Sequence, residues 1–300
     1  MNRRIFIKFN AFMLAAGYLP LRGLAGQTGN STVWEISGTS TESFASLFDH
    51  LGGLNELLNT DLEKATILIK PNICLPHPPE SATTTSANAI EALCRYLIKE
   101  GAKRIIIADH TLQDTSQFNR IPLYEIAGKY SEVRLMLANE QRFYDPVEVA
   151  GKELKQTELM KIAQKADLFI NMPTAKHHSA TYVSLAVKNL MGVIWDRAVF
   201  HTKMDLHQAI GDLPLIIRPH LNIIDAGRIL LNGGPTGPGP IINENRMFAS
   251  SDMLAVDAVV TSRYDFGGKN LHPVQVAHLK AAYQNGVGEI DLNSITVQNI

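Results

Sequence analysis

Residues 104–109 read Arg-Ile-Ile-Ile-Ala-Asp, an unbroken apolar run that closes on an acid. A strand with one wet face alternates apolar and polar residues, so a run without alternation suits a strand covered on both sides. The same pattern recurs along the chain, at 66–70 (Thr-Ile-Leu-Ile-Lys, stopped by Pro71), 133–137, 167–171 (Asp-Leu-Phe-Ile-Asn) and 221–225 (Leu-Asn-Ile-Ile-Asp). Between these runs, apolar residues at helical spacing predict helices over 86–100, 115–128, 156–166, 181–192 and 203–213. Ser86 is the expected cap of the first and Gly101 its stop. Strand followed by helix, repeated, predicts an α/β fold with a mostly parallel central sheet and helices on both faces.

Composition sets the outer limits. The 300 residues are 45% hydrophobic, enough for a packed core, and no internal repeat, charge block or long linker divides them, so a single domain is expected over 27–300. The 28 basic and 29 acidic residues give a formal charge of −1, without the basic excess of a dedicated nucleic-acid binder. Two cysteines, Cys74 and Cys94, cannot supply the four thiolates of an iron–sulfur cluster or a four-cysteine zinc site. Cys94 falls on the apolar face of the 86–100 helix, which suits a small buried residue better than half of a bridge. Five of the ten histidines (His177, His178, His201, His207, His220) lie between 177 and 220.

The N-terminus reads as an address. Residues 2–8 are Asn-Arg-Arg-Ile-Phe-Ile-Lys, which resembles a twin-arginine export signal. The apolar stretch at 9–21 is too short, and too broken by Asn10, Gly17 and Pro20, to cross about 30 Å of hydrocarbon. Cleavage is expected near Ala25–Gly26, which removes residues 1–26 and leaves 24 basic against 29 acidic residues, a charge of −5. The expected partner is the twin-arginine export machinery, the expected destination is the periplasm or another exported location, and the mature chain should carry no transmembrane segment. That route carries folded proteins, so it also raises the expectation of a bound prosthetic group.

In open parallel sheets ligands bind beyond the carboxyl ends of the strands. Those ends carry Lys70-Pro71-Asn72, Asp109-His110, Asn171 followed by Lys176-His177-His178, and Asp225. Four polar ends on one rim suggest one pocket. After Pro173, residues 174–179 are expected to turn into a helix whose first N–H groups face an anion. In the helix that follows, Lys188-Asn189 interrupts an apolar sequence, and a lysine so placed snorkels, pairs with a carboxylate, or works as an amine of lowered pKa. His201, Asp205, Gln208 and Asp212 would share one helix face, and with His177 or His178 they are acceptable ligands for zinc, iron or manganese. Ser251 or Asp252 is the expected helix cap, whereas Asp257, set among Val256, Val259 and Val260, needs a base such as Lys188 or a metal. The Gly/Pro segment 233–240 is a loop and lacks the endings of a nucleotide-binding loop.

Together Lys70-Pro71-Asn72, the Gly101-Ala102 step into Asp109, Asn171-Met172-Pro173 with Lys176 and His177, Ser184 with Lys188-Asn189-Leu190-Met191-Gly192, His201 and Asp212, Asp225, Gly233-Gly234-Pro235 with Gly237-Pro238, and Asp252 with Asp257 resemble the family named domain of unknown function 362. The resemblance spans about residues 60–265. It implies that these residues matter and names no reaction. Many relatives carry ferredoxin-type cysteines and are described as iron–sulfur proteins; this chain departs from them, so an iron–sulfur cluster is not expected.

The resulting expectation is an exported, metal-assisted enzyme acting on a small anionic ligand, or else a non-catalytic ligand-binding or redox accessory protein. Lys188, His177 and His201 are the candidate catalytic residues. Lys70, Asn72, Asn171, Lys176 and Asn189 would hold the ligand. Asp109, Asp225 and Asp257 would bind a divalent metal or orient the bases. His207 and His220 are read as structural.

Overall fold

The computed structural model describes residues 31–112 and 122–300. The expected export segment 1–26 and the first part of the expected 115–128 helix lie outside the described residues.

In chain order the elements are β1 (Ser31–Ser37), α1 (Thr41–His50), β2 (Ile67–Pro71), α2 (Ala87–Glu100), β3 (Ile105–Asp109), α3 (Leu123–Lys129) and β4 (Val133–Leu137). There follow β5 (Tyr144–Glu148), β6 (Gln156–Met160), α4 (Lys161–Lys165), β7 (Leu168–Met172), β8 (Thr174–His178), β9 (Tyr182–Ser184) and α5 (Ala186–Asn189). The chain ends through α6 (Ala198–Thr202), α7 (Leu206–Asp212), β10 (Leu221–Leu230), β11 (Ile241–Ser250), α8 (Met253–Arg263), α9 (Ala277–Gln284) and β12 (Ile295–Asn299).

The main sheet runs β12-β1-β11-β10-β7-β2-β3-β4, and β8 pairs with β10 and β9 beside that path. The pairs β10/β7, β7/β2, β2/β3 and β3/β4 are all parallel. β11 is the exception, antiparallel to both β1 and β10. The sheet is therefore mostly parallel, as the unbroken apolar runs predict. Alternation divides each run between two cores. Ile67, Ile69, Ile105, Ile107, Leu168 and Ile170 pack with Phe44 and Leu47 of α1 and Ile90, Leu93 and Leu97 of α2. Leu68, Ala108 and Phe169 pack on the other side with Val187 of α5, Ile210 of α7, Val256 of α8 and Leu279 of α9. Helices cover both faces.

α2 follows its sequence signals: the Ser86 hydroxyl accepts from the Ala89 N–H, and Gly101 ends the helix with φ 115°, a left-handed conformation that favours glycine. The three corrections lie around the site. Residues 156–160 form β6, paired with β5 as a separate antiparallel ribbon, and only 161–165 are helical. Residues 174–178 are strand β8 rather than a helical first turn, because Thr174 pairs alongside Asp225 and Lys176–His178 pair with Ser184–Tyr182 of β9. The expected 181–192 helix therefore shrinks to α5, extended by a tight turn over Leu190–Val193. In the third, α7 starts only at Leu206, with Asp205 as its cap. Asp205 and His201 thus belong to different helices and do not share a face.

Candidate functional site

The site is built where β2, β3 and β7 end. On β2, Ile69 faces the α2 side, so Lys70 faces α5, where it is fully buried. Its ammonium pairs with Asp109 Oδ1 at the end of β3, 2.8 Å away. It also donates to the Pro71 carbonyl (2.6 Å) and to Asn189 Oδ1 (3.0 Å). Burial lowers the Lys70 pKa, and the Asp109 charge opposes that shift. Asp109 Oδ2 accepts from the Ile73 N–H, and Oδ1 from that of His110. Gly192 closes over this pair: a Cβ there would lie against Asp109 Oδ1 and 2.6 Å from Lys70 Nζ.

A chain of amides ties the strand ends together. Asn72 donates to Asn189 (3.1 Å), Asn189 to Asn171 (2.8 Å) and Asn171 to Asn222 (3.0 Å), all buried. Lys176 enters from β8 and donates to Asn72 Oδ1 (3.1 Å) and the Thr83 carbonyl (2.6 Å), with the Pro235 carbonyl at 3.5 Å. Five residues expected to hold a ligand, Lys70, Asn72, Asn171, Lys176 and Asn189, are thus in one connected cluster.

Counting donors separates the lysines. An ammonium has three N–H groups. Lys70 and Lys176 each have three oxygens around them, so their hydrogen bonds are already made within the fold. Lys188 is only 9% exposed, and its one partner among the described residues is the Met191 thioether at 3.5 Å. Burial, with Lys176 and Arg197 nearby, brings its pKa down to about 8. It is the buried amine with donors to spare.

The histidines sort by strand geometry. Successive residues of β8 point to opposite faces. His178 shares a strand face with Lys176, and burial first, then the neighbouring Lys188, Lys176, His201 and His278, push its pKa far down. His177 points the other way: its Nδ1 accepts from the Gly234 N–H (3.2 Å), and its far edge lies close to Gly267. The structure thus brings His178, rather than His177, toward Lys188. His201 sits exposed on α6, and burial, Lys188 and Arg197 lower its pKa. His220 serves β7, accepting from the Phe169 N–H.

The three carboxylates expected to bind metal are separately engaged. Asp109 holds Lys70. Asp225 accepts from the backbone N–H groups of Ser86 (2.7 Å) and Gly227 (2.9 Å). Asp257 accepts from those of Ala186 (2.7 Å) and Val187 (2.9 Å), capping α5 instead of pairing with Lys188; burial raises its pKa to about 8. Asp212 holds the Glu153 and Leu154 N–H groups. Among the described residues there is no group of three or more His, Cys, Asp or Glu side chains that could hold a metal ion.

Three further neighbours border the site, and of these the sequence marks only His110, beside Asp109 at a strand end. Arg197 follows Trp195, and its charge bears on Lys70, His110, Lys188 and His201. His110 stacks on Trp195 (centroids 5.1 Å apart, planes at 5°) with Nδ1 2.9 Å from the Ile194 carbonyl, and burial takes its pKa to about 4. His278 of α9 is fully buried, and neither ring nitrogen has a hydrogen-bond partner among the described residues. Both cysteines are free, and Cys74 lies close enough to bear on the titration of all three lysines. Two open clefts lie apart from Lys188. One, of about 360 Å³, is lined by Asp225, Arg228, Asn88 and Asn245, and the other, of about 340 Å³, by His77 and the 236–239 loop.

Fold and edge together define an α/β protein with a buried, lysine-rich, amide-tied cluster at the carboxyl ends of a parallel sheet. The chain belongs to the family described as Domain of unknown function (DUF362), which matches residues 67–262, the span that holds the whole cluster. Thylakoid-associated protein sll1697 of Synechocystis is 24% identical over 249 residues, covering 75% of this chain and 70% of that protein. Among solved structures, the lactate racemase apoprotein from Thermoanaerobacterium thermosaccharolyticum aligns with a TM-score of 0.41 and 14% identity over 85% of this chain. A protein from Thermotoga maritima aligns with a TM-score of 0.44 and 9% identity over 83%. The chain spans 56% and 60% of the length of these two structures. No helix among the described residues is long and apolar enough to cross a membrane.

Proposed function

We propose that this protein is an exported enzyme that binds a small anionic molecule at the carboxyl edge of its sheet, with the Lys188 amine in contact with it. The observation that carries this reading is that Lys188, buried, has only the Met191 sulfur as a partner among the described residues, while Lys70 and Lys176 are fully bonded. A charged amine in so dry a place lacks the compensation that an anion supplies. With a pKa near 8, about a tenth of it is the free base at pH 7. Lys188 can therefore take a proton from a bound molecule and return it, the pattern of general acid–base catalysis. Asn189 and Asn72 orient the cluster, Lys70 and Lys176 add positive potential, and His201 stands at the exposed rim as a route for the proton. The export part of the proposal rests on Arg3-Arg4 and the apolar stretch after them.

A turnover screen of small carboxylates and phosphate esters on the mature protein tests the reading. Turnover lost in Lys188→Ala supports it. Saturable binding with no turnover would leave a ligand-binding protein instead, and no anion binding at all would remove the site.

A further inference from the structure

Arg197 carries an anomaly of its own. Its Nε and Nη2 atoms are buried and have no hydrogen-bond partner among the described residues. These two nitrogens send their N–H bonds out in parallel from one edge of the guanidinium. That edge is the fork that matches two oxygens of a carboxylate or phosphate. Natural proteins rarely leave buried N–H donors unpaired, least of all charged ones. The guanidinium lies in the same region as the Lys188 amine, its charge bearing on Lys188, Lys70, His110 and His201 together.

The charges point the same way. Asp109 balances Lys70. Lys176 has only neutral oxygens around it, Lys188 only a sulfur, and Arg197 no carboxylate partner among the described residues. Three positive charges are left without a counter-charge in one region. A monoanion would neutralise one of them, whereas a dianion leaves little excess.

We propose that the ligand is a dianion, a dicarboxylate or a phosphoryl compound, with one oxyanion edge on the Nε/Nη2 fork of Arg197 and its remaining charge at Lys188. The proposal rests on the reading of Lys188 as an anion-binding amine and adds the ligand class and the second clamp. Arg197 fixes orientation, because a fork accepts a planar pair of oxygens in one plane only, while Lys188, a point charge on a flexible stem, tolerates several.

Calorimetric titration of the mature protein with acetate, succinate and inorganic phosphate, at pH 7.5 and constant ionic strength, tests it. Succinate or phosphate should bind at least tenfold more tightly than acetate, and the tighter of the two tells a dicarboxylate from a phosphoryl ligand. Arg197→Gln should bring that preference to within about twofold. Arg197→Lys, which keeps the charge and loses the fork, should recover less than half of the lost preference on a logarithmic scale. Without ligand both variants should melt within about 2 °C of wild type or above it, since an unpaired buried cation is removed or moved. Equal binding of mono- and dianions, or a dianion preference untouched in Arg197→Gln, would overturn the inference and leave the Lys188 reading standing if Lys188→Ala still weakens every anion. A fall of many degrees in both ligand-free Arg197 variants would assign the guanidinium to packing and overturn it as well. No binding of any anion would remove both.

Discussion

Replacing Gly192 by alanine places a methyl group where Asp109 and Lys70 meet. A Cβ at that position lies against Asp109 Oδ1 and 2.6 Å from both Cε and Nζ of Lys70, well inside van der Waals contact. Neither neighbour can swing away. Asp109 is fixed by the Ile73 and His110 N–H groups, Lys70 by the Pro71 carbonyl and Asn189, and both side chains are only 1% exposed. The ion pair must therefore open or the Leu190–Val193 turn must lift away. Removing one partner of a buried pair costs about 3–5 kcal/mol. Here both charges survive and regain part of their contact, so about 2–4 kcal/mol is the expected loss. At about 2–4 °C per kcal/mol for a domain of roughly this size, the melting midpoint should fall by about 4–16 °C, read by calorimetry. In a Lys70→Ala/Asp109→Ala background the same glycine-to-alanine change should cost less than about 1 kcal/mol, because the side-chain atoms it would meet are gone. A shift under 1 °C in the wild-type background, or equal losses in both, would refute this account of why a glycine stands there.

Removing the Lys188 charge should stabilise the ligand-free protein. The folded pKa, near 8, is below the ordinary lysine value, so the charged form opposes folding at neutral pH and that opposition fades as pH rises from 8 toward 10.5. Urea unfolding of Lys188→Met should show a gain of up to about 3 kcal/mol at pH 7, vanishing near pH 10.5; a loss at pH 7 would mean the amine is already compensated. Asp257 has the opposite slope. Its folded pKa is raised to about 8, so its stabilising contribution is full below about pH 4 and declines as pH rises toward 8. The stability of wild type relative to Asp257→Asn should therefore drop between pH 5 and pH 9, and a flat difference would contradict the burial argument. Finally, Arg3→Lys together with Arg4→Lys should hold the protein in the cytoplasm on cell fractionation; unchanged export would reject a twin-arginine route.

The architecture was legible because the apolar runs at 66–70, 104–109 and 167–171 lack alternation, which only a sheet covered on both faces explains. β8 was not, since Thr174-Ala175-Lys176-His177-His178 has neither an apolar period nor a turn signal, and only pairing with β9 and β10 makes it a strand. That single change turns His177 and His178 to opposite faces of a strand. A strand end for Asp225 and an apolar setting for Asp257 suggested metal ligands, because a buried acid in a sequence shows its burial and hides its partners; here those partners are backbone N–H groups, of Ser86 and Gly227 for Asp225 and of Ala186 and Val187 for Asp257. Lys188 stood out as a cation inside an apolar stretch. Arg197 did not, since Trp195-Asp196-Arg197 reads as ordinary surface and its importance comes from two nitrogens left unpaired among the described residues.

The central claim is that Lys188 is the amine an anion meets. Its most direct measurement is the affinity of the mature protein for succinate or phosphate, by calorimetric titration, in wild type, Lys188→Met and the His177→Ala control. The account predicts at least a tenfold loss in Lys188→Met, with His177→Ala within about threefold of wild type because that ring turns toward Gly234 and Gly267. Undiminished affinity in Lys188→Met would contradict it.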